Sequence, residues 1–241
     1  MRARELGAAL VDLVLPGDCA GCGDPVHPWC PRCLVRLGEP CWPAVPGVPG
    51  VLAVGRYTGP LRAALLRYKE RGRRDLAAPL AALLAGPLDE VMQPPPAVTW
   101  LLPAPSRPAA ARARGGDHVV RLCRALAAGR PDVRVARPLR LMRRARDSVG
   151  LDAVQRAQNL AGRLCVRPAA LPPEGAAVLL VDDVVTTGAT LRACRSALAR
   201  AGVGVDVALV LCDATRRETR REEAPWRPGN ADPRRERGVR S

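Results

Sequence analysis

Phenylalanine is absent from this 241-residue chain, and its aromatic residues are four Trp and two Tyr. Proteins that hold single-stranded nucleic acid commonly stack bases on aromatic rings, so such platforms are few here. Lysine is nearly missing: Lys69 stands alone against 37 arginines. Long apolar runs are missing as well. The longest, Ala77 to Leu88, has twelve residues and carries Pro79 and Pro87, whereas a bilayer needs about 20. Glu5 and Asp12 interrupt any signal-peptide core behind Arg2 and Arg4, so a cytoplasmic protein without a membrane span is expected.

Acids are scarce where arginines gather. The formal net charge is +15. Between Arg107 and Arg146, twelve arginines face only Asp117 and Asp132, an excess of ten positive charges. A bias toward arginine codons explains Arg over Lys but not the missing acids, and the concentration favours a polyanionic partner, nucleic acid or pyrophosphate. Hydrophobic residues make up 48% of the chain. That suffices for one core domain of about 150–200 residues with a small module attached.

Residues 3–14 carry Leu6, Leu10, Leu13 and Val14 at helical spacing, and Pro16-Gly17 ends that helix. Cys19 to Cys33 then reads CAGCGDPVHPWCPRC, or C-x2-C-x7-C-x2-C. Each C-x2-C sets two thiolates on one tight knuckle, and two knuckles complete a tetrahedral zinc site from Cys19, Cys22, Cys30 and Cys33. Paired disulfides fit poorly with nine cysteines in a cytoplasmic chain. Four thiolates leave no open position, so a structural zinc is expected. His27 is an inferior substitute ligand, and Cys41, Cys123, Cys165, Cys194 and Cys212 read as small hydrophobes.

Downstream, the pattern predicts strands near 52–57, 98–102, 178–181 and 205–211, with weaker ones within 133–141 and 163–168. Helices are expected from Leu61, over 76–84, over 117–128 and over 191–201, the last closed by Gly202 as a C-cap glycine. This alternation calls for an α/β fold, a parallel sheet with helices on both faces. From Asp213 the chain holds nine Arg, six acids and three Pro, and a disordered charged tail is expected there.

The densest signal is Val178 to Thr190, VLLVDDVVTTGAT. An apolar strand delivers Asp182 and Asp183, whose carboxylates can accept hydrogen bonds from vicinal hydroxyls. The loop Thr186, Thr187, Gly188, Ala189, Thr190 then enters a helix, where backbone N–H groups and the dipole make an anion cradle. A strand-end acid and an N-cap threonine would explain one residue of each kind and leave the second acid and the TTGxT loop without a role.

The segment resembles the phosphoribosyl-pyrophosphate signature of type I phosphoribosyltransferases. The resemblance implies that Asp182 and Asp183 contact the ribose 2′ and 3′ hydroxyls. It also implies that Thr186 to Thr190 wrap the 5′-phosphate and that magnesium bridges ribose and pyrophosphate. Some members of that superfamily bind the ligand only as regulators.

The order of motifs narrows the resemblance. A four-cysteine knuckle pair precedes Gly59-x-Leu61-Arg62, then Lys69-x-Arg71-Gly72-Arg73, then Arg112-x-Arg114-Gly115, then the phosphoribosyl loop. Together these resemble the ComF family over about residues 10–212. The family implies an N-terminal helix and zinc ribbon over 1–45, a phosphoribosyltransferase-like domain over 46–212, and a role with incoming single-stranded DNA and DNA-uptake proteins. Where family members read RGFNQ, this chain has Arg114-Gly-Gly-Asp-His118; the later glutamine is Ser148, while Arg156 and Asn159 match.

Two functions follow as expectations. In an enzyme, phosphoribosyl transfer would expel pyrophosphate, with magnesium and Arg107, Arg112 and Arg114 stabilising the departing anion and the loop Pro103 to Arg107, including Ser106, holding it. A basic loop in solvent is the plainer account of each arginine. In a binding module, a basic face that includes Arg71, Arg73, Arg143, Arg144 and Arg146 would hold DNA. A regulator that only binds phosphoribosyl pyrophosphate is a further alternative. Thr186 stands where 6-oxopurine enzymes carry an acid, and no hood for a base follows Leu211. His118, one residue into its helix, reads as an exposed or loop-anchoring imidazole rather than a proton carrier.

Overall fold

The computed structural model describes residues 18–142, Val26 apart, and 163–215. The expected helix over 3–14, Arg143, Arg144, Arg146, Ser148, Arg156, Asn159 and the tail from residue 216 lie outside the described residues.

A short helix α1 (Pro31–Val35) closes the cysteine segment. It is followed by β1 (Gly50–Arg56), α2 (Gly59–Glu70), a 3-10 turn at Arg74–Leu76 and α3 (Ala77–Val91). Next come β2 (Thr99–Pro103), α4 (Pro108–Ala113), α5 (His118–Ala127) and β3 (Val133–Val135). The chain continues with β4 (Leu139–Leu141), β5 (Leu164–Val166), β6 (Ala177–Val185), α6 (Ala189–Arg200) and β7 (Val207–Asp213). Five strands form one parallel sheet in the order β1-β7-β6-β2-β3. The strands β4 and β5 pair antiparallel as a separate ribbon.

Alternation along the strands divides the core in two. Leu52, Leu101, Leu179, Val181 and Leu209 face the cluster built with α2, α3 and α5. Ala53, Leu102, Leu180, Ala208 and Val210 face the cluster built with α6 and the segments around Val45 and Leu139. The sheet is thus covered on both faces, and this is why its strands read as apolar runs rather than alternating ones.

Two boundaries differ from the sequence expectation. Helix α3 runs through Pro87 to Val91 instead of ending near Leu84. Proline there gives up one backbone bond, but Pro87 and Leu88 are buried on the core side, and that burial carries the helix past the break. Strand β6 runs to Val185, so Asp182 and Asp183 lie inside it rather than beyond its end. The two sides of β6 explain this. The β2 pairing stops at Pro103↔Val181, while the β7 pairing continues to Val185↔Asp213. Beyond Val181, β6 keeps one strand neighbour, and its other edge opens onto the loop Ala104–Arg107.

The cysteine segment docks directly on α2. Ala20 joins the core beneath that helix. Gly21 sits so close that a Cβ there would lie 2.6 Å from Cys33 Sγ and 2.9 Å from Pro60 Cβ. Gly21→Ala is therefore expected to cost about 1–3 kcal/mol by overpacking, read as a lower melting temperature.

Candidate functional site

The sulfur atoms of Cys19, Cys22, Cys30 and Cys33 all lie within 4.8 Å of one another. Cys19 Sγ is 3.6 Å from Cys33 Sγ and Cys22 Sγ is 3.5 Å from Cys30 Sγ. Zinc–sulfur bonds of about 2.3 Å in a tetrahedron place sulfurs roughly 3.8 Å apart, whereas a disulfide needs about 2.0 Å. The spacing fits a cation among four thiolates. Burial and then the neighbouring thiols hold Cys33 above the ordinary thiol range, and a bound dication removes that penalty. His27 is exposed and outside the cluster.

At the carboxyl edge of the sheet, Asp183 projects from β6 toward α2 and α5. It is 4% exposed. The Lys69 Nζ donates to Asp183 Oδ2 at 2.7 Å, and His118 Nε2 binds the same oxygen. His118 is buried rather than exposed, because its ring fills the space between Asp183 and the β2 loop. Its Nδ1 lies 3.4 Å from Ser106 Oγ. The Ser106 hydroxyl and backbone N–H both donate to the Asp117 carboxylate at 3.1 Å. Asp117 also accepts from the Val119 and Val120 N–H groups, capping α5. Tyr68 OH donates to the His118 carbonyl at 2.7 Å. One continuous polar network therefore joins α2, β6, α5 and the β2 loop.

Burial alone would raise Asp183, but hydrogen bonding and charge from His118 and Lys69 outweigh it and hold the carboxyl at about 2. Asp182 moves the other way. Burial and then the Asp183 charge raise it well above the ordinary carboxylate value. Its Oδ1 accepts the Asp183 backbone N–H at 2.8 Å.

The threonine loop follows at once. Gly188 caps α6 with φ +72, and a Cβ there would lie 2.1 Å from Val45 Cγ1. Only glycine suits both the left-handed backbone and that approach. Thr186 and Thr187 are exposed, Ala189 and Thr190 half-buried. Arg192 ties the loop to its surroundings, donating to the carbonyls of Thr187 and Pro46, each at 2.8 Å.

The arginines divide. Arg107 and Arg112 are exposed on α4 and its cap. Arg114 pairs with Glu70 at 3.2 Å. Arg71 is exposed, but Arg73 is held by Asp18 at 2.9 Å and Asp75 at 2.8 Å, which leaves little of it for a phosphate. Sequence reasoning missed Lys69 and His118 as partners of Asp183. The signal for Lys69 was its being the one lysine; for His118 it was its place directly behind a capping aspartate.

A family model described as phosphoribosyl transferase domain matches residues 125–230, under half of the chain and inclusive of β3 to β7. No curated protein matches the chain. Among solved structures, a hypoxanthine phosphoribosyl transferase of Trypanosoma cruzi shares 21% identity over 65% of this chain and 71% of its own, with TM-score 0.35. The Trypanosoma cruzi enzyme in complex with the product IMP shares 17% over 58% and 67%, with TM-score 0.34. The alanine mutant of an invariant aspartic acid in HPRTs shares 18% over 63% and 73%, with TM-score 0.36. Among the described residues, no helix is long and apolar enough to cross a membrane.

The depressed Asp183 fixes a sign for acid stability. Its contribution is fully present above the unfolded value of 3.8 and is lost as pH falls toward 2. Thermal melts followed by circular dichroism between about pH 5 and 2 are expected to show that loss, and Lys69→Met is expected to remove much of it.

Proposed function

We propose that the protein binds phosphoribosyl pyrophosphate, or a 5-phosphoribosyl end, together with magnesium. The observation that carries this reading is the juxtaposition at one sheet edge of the β6 acids and a left-handed glycine loop with exposed threonines at the α6 N-terminus. The match of residues 125–230 to the phosphoribosyl transferase domain supports it. The acids lie toward the ribose hydroxyls, the 5′-phosphate takes the N–H groups of Thr186 to Thr190, and Ser106 and Arg107 flank the pyrophosphate. Magnesium is held in such sites by one or two carboxylates plus substrate phosphates, and Asp182 is an oxygen donor of that kind. When bound, the ion neutralises charge developing on pyrophosphate. Arg112 and Arg114 are the candidates to assist, Arg114 after leaving Glu70.

The ComF resemblance extends the reading to handling of single-stranded DNA during uptake, with the module over 1–45, the domain over 46–212 and the tail over 213–241 as its parts. The described surface offers support. Arg134, Arg137, Arg140 and Arg167 are exposed on or beside β3, β4 and β5, and no acid occurs in residues 133–142 or 163–172.

Calorimetry with phosphoribosyl pyrophosphate and magnesium tests the pocket. Binding is expected for the wild type and not for Asp182→Asn combined with Asp183→Asn. Pyrophosphate release over a panel of bases would make the protein a transferase; binding without release makes it a module or regulator. For DNA, each neutralised phosphate contributes about −0.7 to the slope of log affinity against log salt. Replacing Arg134, Arg137, Arg140 and Arg167 by alanine is expected to flatten that slope by about 3, and an unchanged slope would remove this face from the interface.

A further inference from the structure

The loop Ala104–Arg107, onto which the open edge of β6 faces, has few donors to give an anion. The Ala104 N–H is spent on the Val181 carbonyl at 2.8 Å, and Pro105 has no N–H. The next donors are the N–H and hydroxyl of Ser106, and both are engaged. The Ser106 N–H donates to Asp117 Oδ2 and the hydroxyl to Asp117 Oδ1, each at 3.1 Å. One serine thus grips both oxygens of a carboxylate, as it would grip two oxygens of a phosphate. Asp117 Oδ1 also takes the Val119 and Val120 N–H groups at 3.0 and 3.3 Å. Among the described residues these four donors to Asp117 are all neutral, so its charge has no cation in contact.

We propose that Asp117 is a specificity-determining residue: an internal anion, seated on the pyrophosphate loop, that disfavours ligands carrying pyrophosphate relative to those carrying only a 5-phosphoribosyl group. This selectivity rests on the phosphoribosyl reading, with the β6 acids and Ser106 in the roles given there. A pyrophosphate that reaches Ser106 must displace the carboxylate, and it then stands beside a like charge. The displaced carboxylate keeps its two α5 donors, which hold it near the loop. A 5-phosphate on the Thr186–Thr190 loop meets no such competitor. That loop opens α6, and α6 and α5 cover opposite faces of the sheet.

Calorimetry on the full-length protein tests this with phosphoribosyl pyrophosphate, ribose 5-phosphate and inorganic pyrophosphate, each with magnesium. Asp117→Asn keeps an oxygen for the α5 N–H groups, and Asn caps a helix about as well as Asp. Its amide nitrogen cannot accept from Ser106, so the loop donors are freed and the charge is gone. Asp117→Ser also keeps a cap, carries no charge and withdraws from Ser106. Melting temperatures identify a variant that fails to fold, and the other then carries the comparison. Both variants are expected to bind phosphoribosyl pyrophosphate about tenfold more tightly than the wild type, the scale of one hydrogen bond to a charged group. Inorganic pyrophosphate should tighten likewise, while ribose 5-phosphate stays within about twofold. Equal changes for phosphoribosyl pyrophosphate and ribose 5-phosphate, or weaker binding of the former, would overturn the selectivity and make Asp117 a support of the loop or the cation. If neither of these two ligands binds the wild type or a variant, the phosphoribosyl reading fails. Inorganic pyrophosphate then judges Asp117 by itself: tighter binding in the variants upholds the competition, and unchanged binding overturns it.

Discussion

The buried contact among Asp183, Lys69 and His118 is the constraint on which the site depends. A carboxylate at 4% exposure is tolerable only with opposite charge and donors close by. Supplying them fixes the relative positions of three elements remote in sequence. Strand β6 brings the acid, α2 the ammonium and α5 the imidazole. Once these meet, the Ser106 loop is drawn in through His118 and Asp117, and the carboxyl edge acquires its shape. Breaking one partner costs more than the pair contributes net, because the survivor stays buried and unpaired.

The end of α2 distributes this constraint. In a helix, consecutive side chains point about 100° apart, so four neighbours in sequence can address four partners in space. Arg67 reaches Asp18 and the Cys19 carbonyl, Tyr68 the His118 carbonyl, Lys69 Asp183 and Glu70 Arg114. Past the helix, Arg73 returns to Asp18 and Arg74 donates to the Arg114 carbonyl. The Gly115 backbone, at φ +65, leaves room for the Arg74 guanidinium, which a Cβ would meet at 1.8 Å. Sequence pattern marks RYKERGRR as a basic break suited to polyanions. In the structure its charges are largely spent on holding the cysteine knuckle, the arginine loop and the acid pair together.

Legibility in the sequence followed the range of the interaction. Local and periodic features could be read: the VLLV run of β6, the helix beginning near Asp117, the Gly202 stop and the four-cysteine spacing that gathers the sulfurs. The parallel sheet followed from strand–helix alternation. Contacts between distant elements could not be read in this way. Nothing near Lys69 names Asp183, and a histidine one residue into an amphipathic helix reads as exposed or loop-anchoring until the burial of its face is known. The end of β6 was misjudged because continued pairing with β7 outweighs the polarity of two acids, and the end of α3 because core burial outweighs a proline.

The cysteine knuckle shows why such distant contacts matter for the chemistry at the edge. Four cysteines gather at the centre of a short segment, and that segment offers Ala20, Asp18 and the Cys19 carbonyl to α2. Arg67 and Lys69 lie two residues apart on that helix. A knuckle that loses its fold releases Arg67 and Arg73 together, and the helix end that carries Lys69 loses its outer support. The inner support, Asp183, then has to position the helix alone. The knuckle therefore supports α2 from outside as Asp183 supports it from within, and the cysteine segment and the carboxyl edge of the sheet form one mechanical unit.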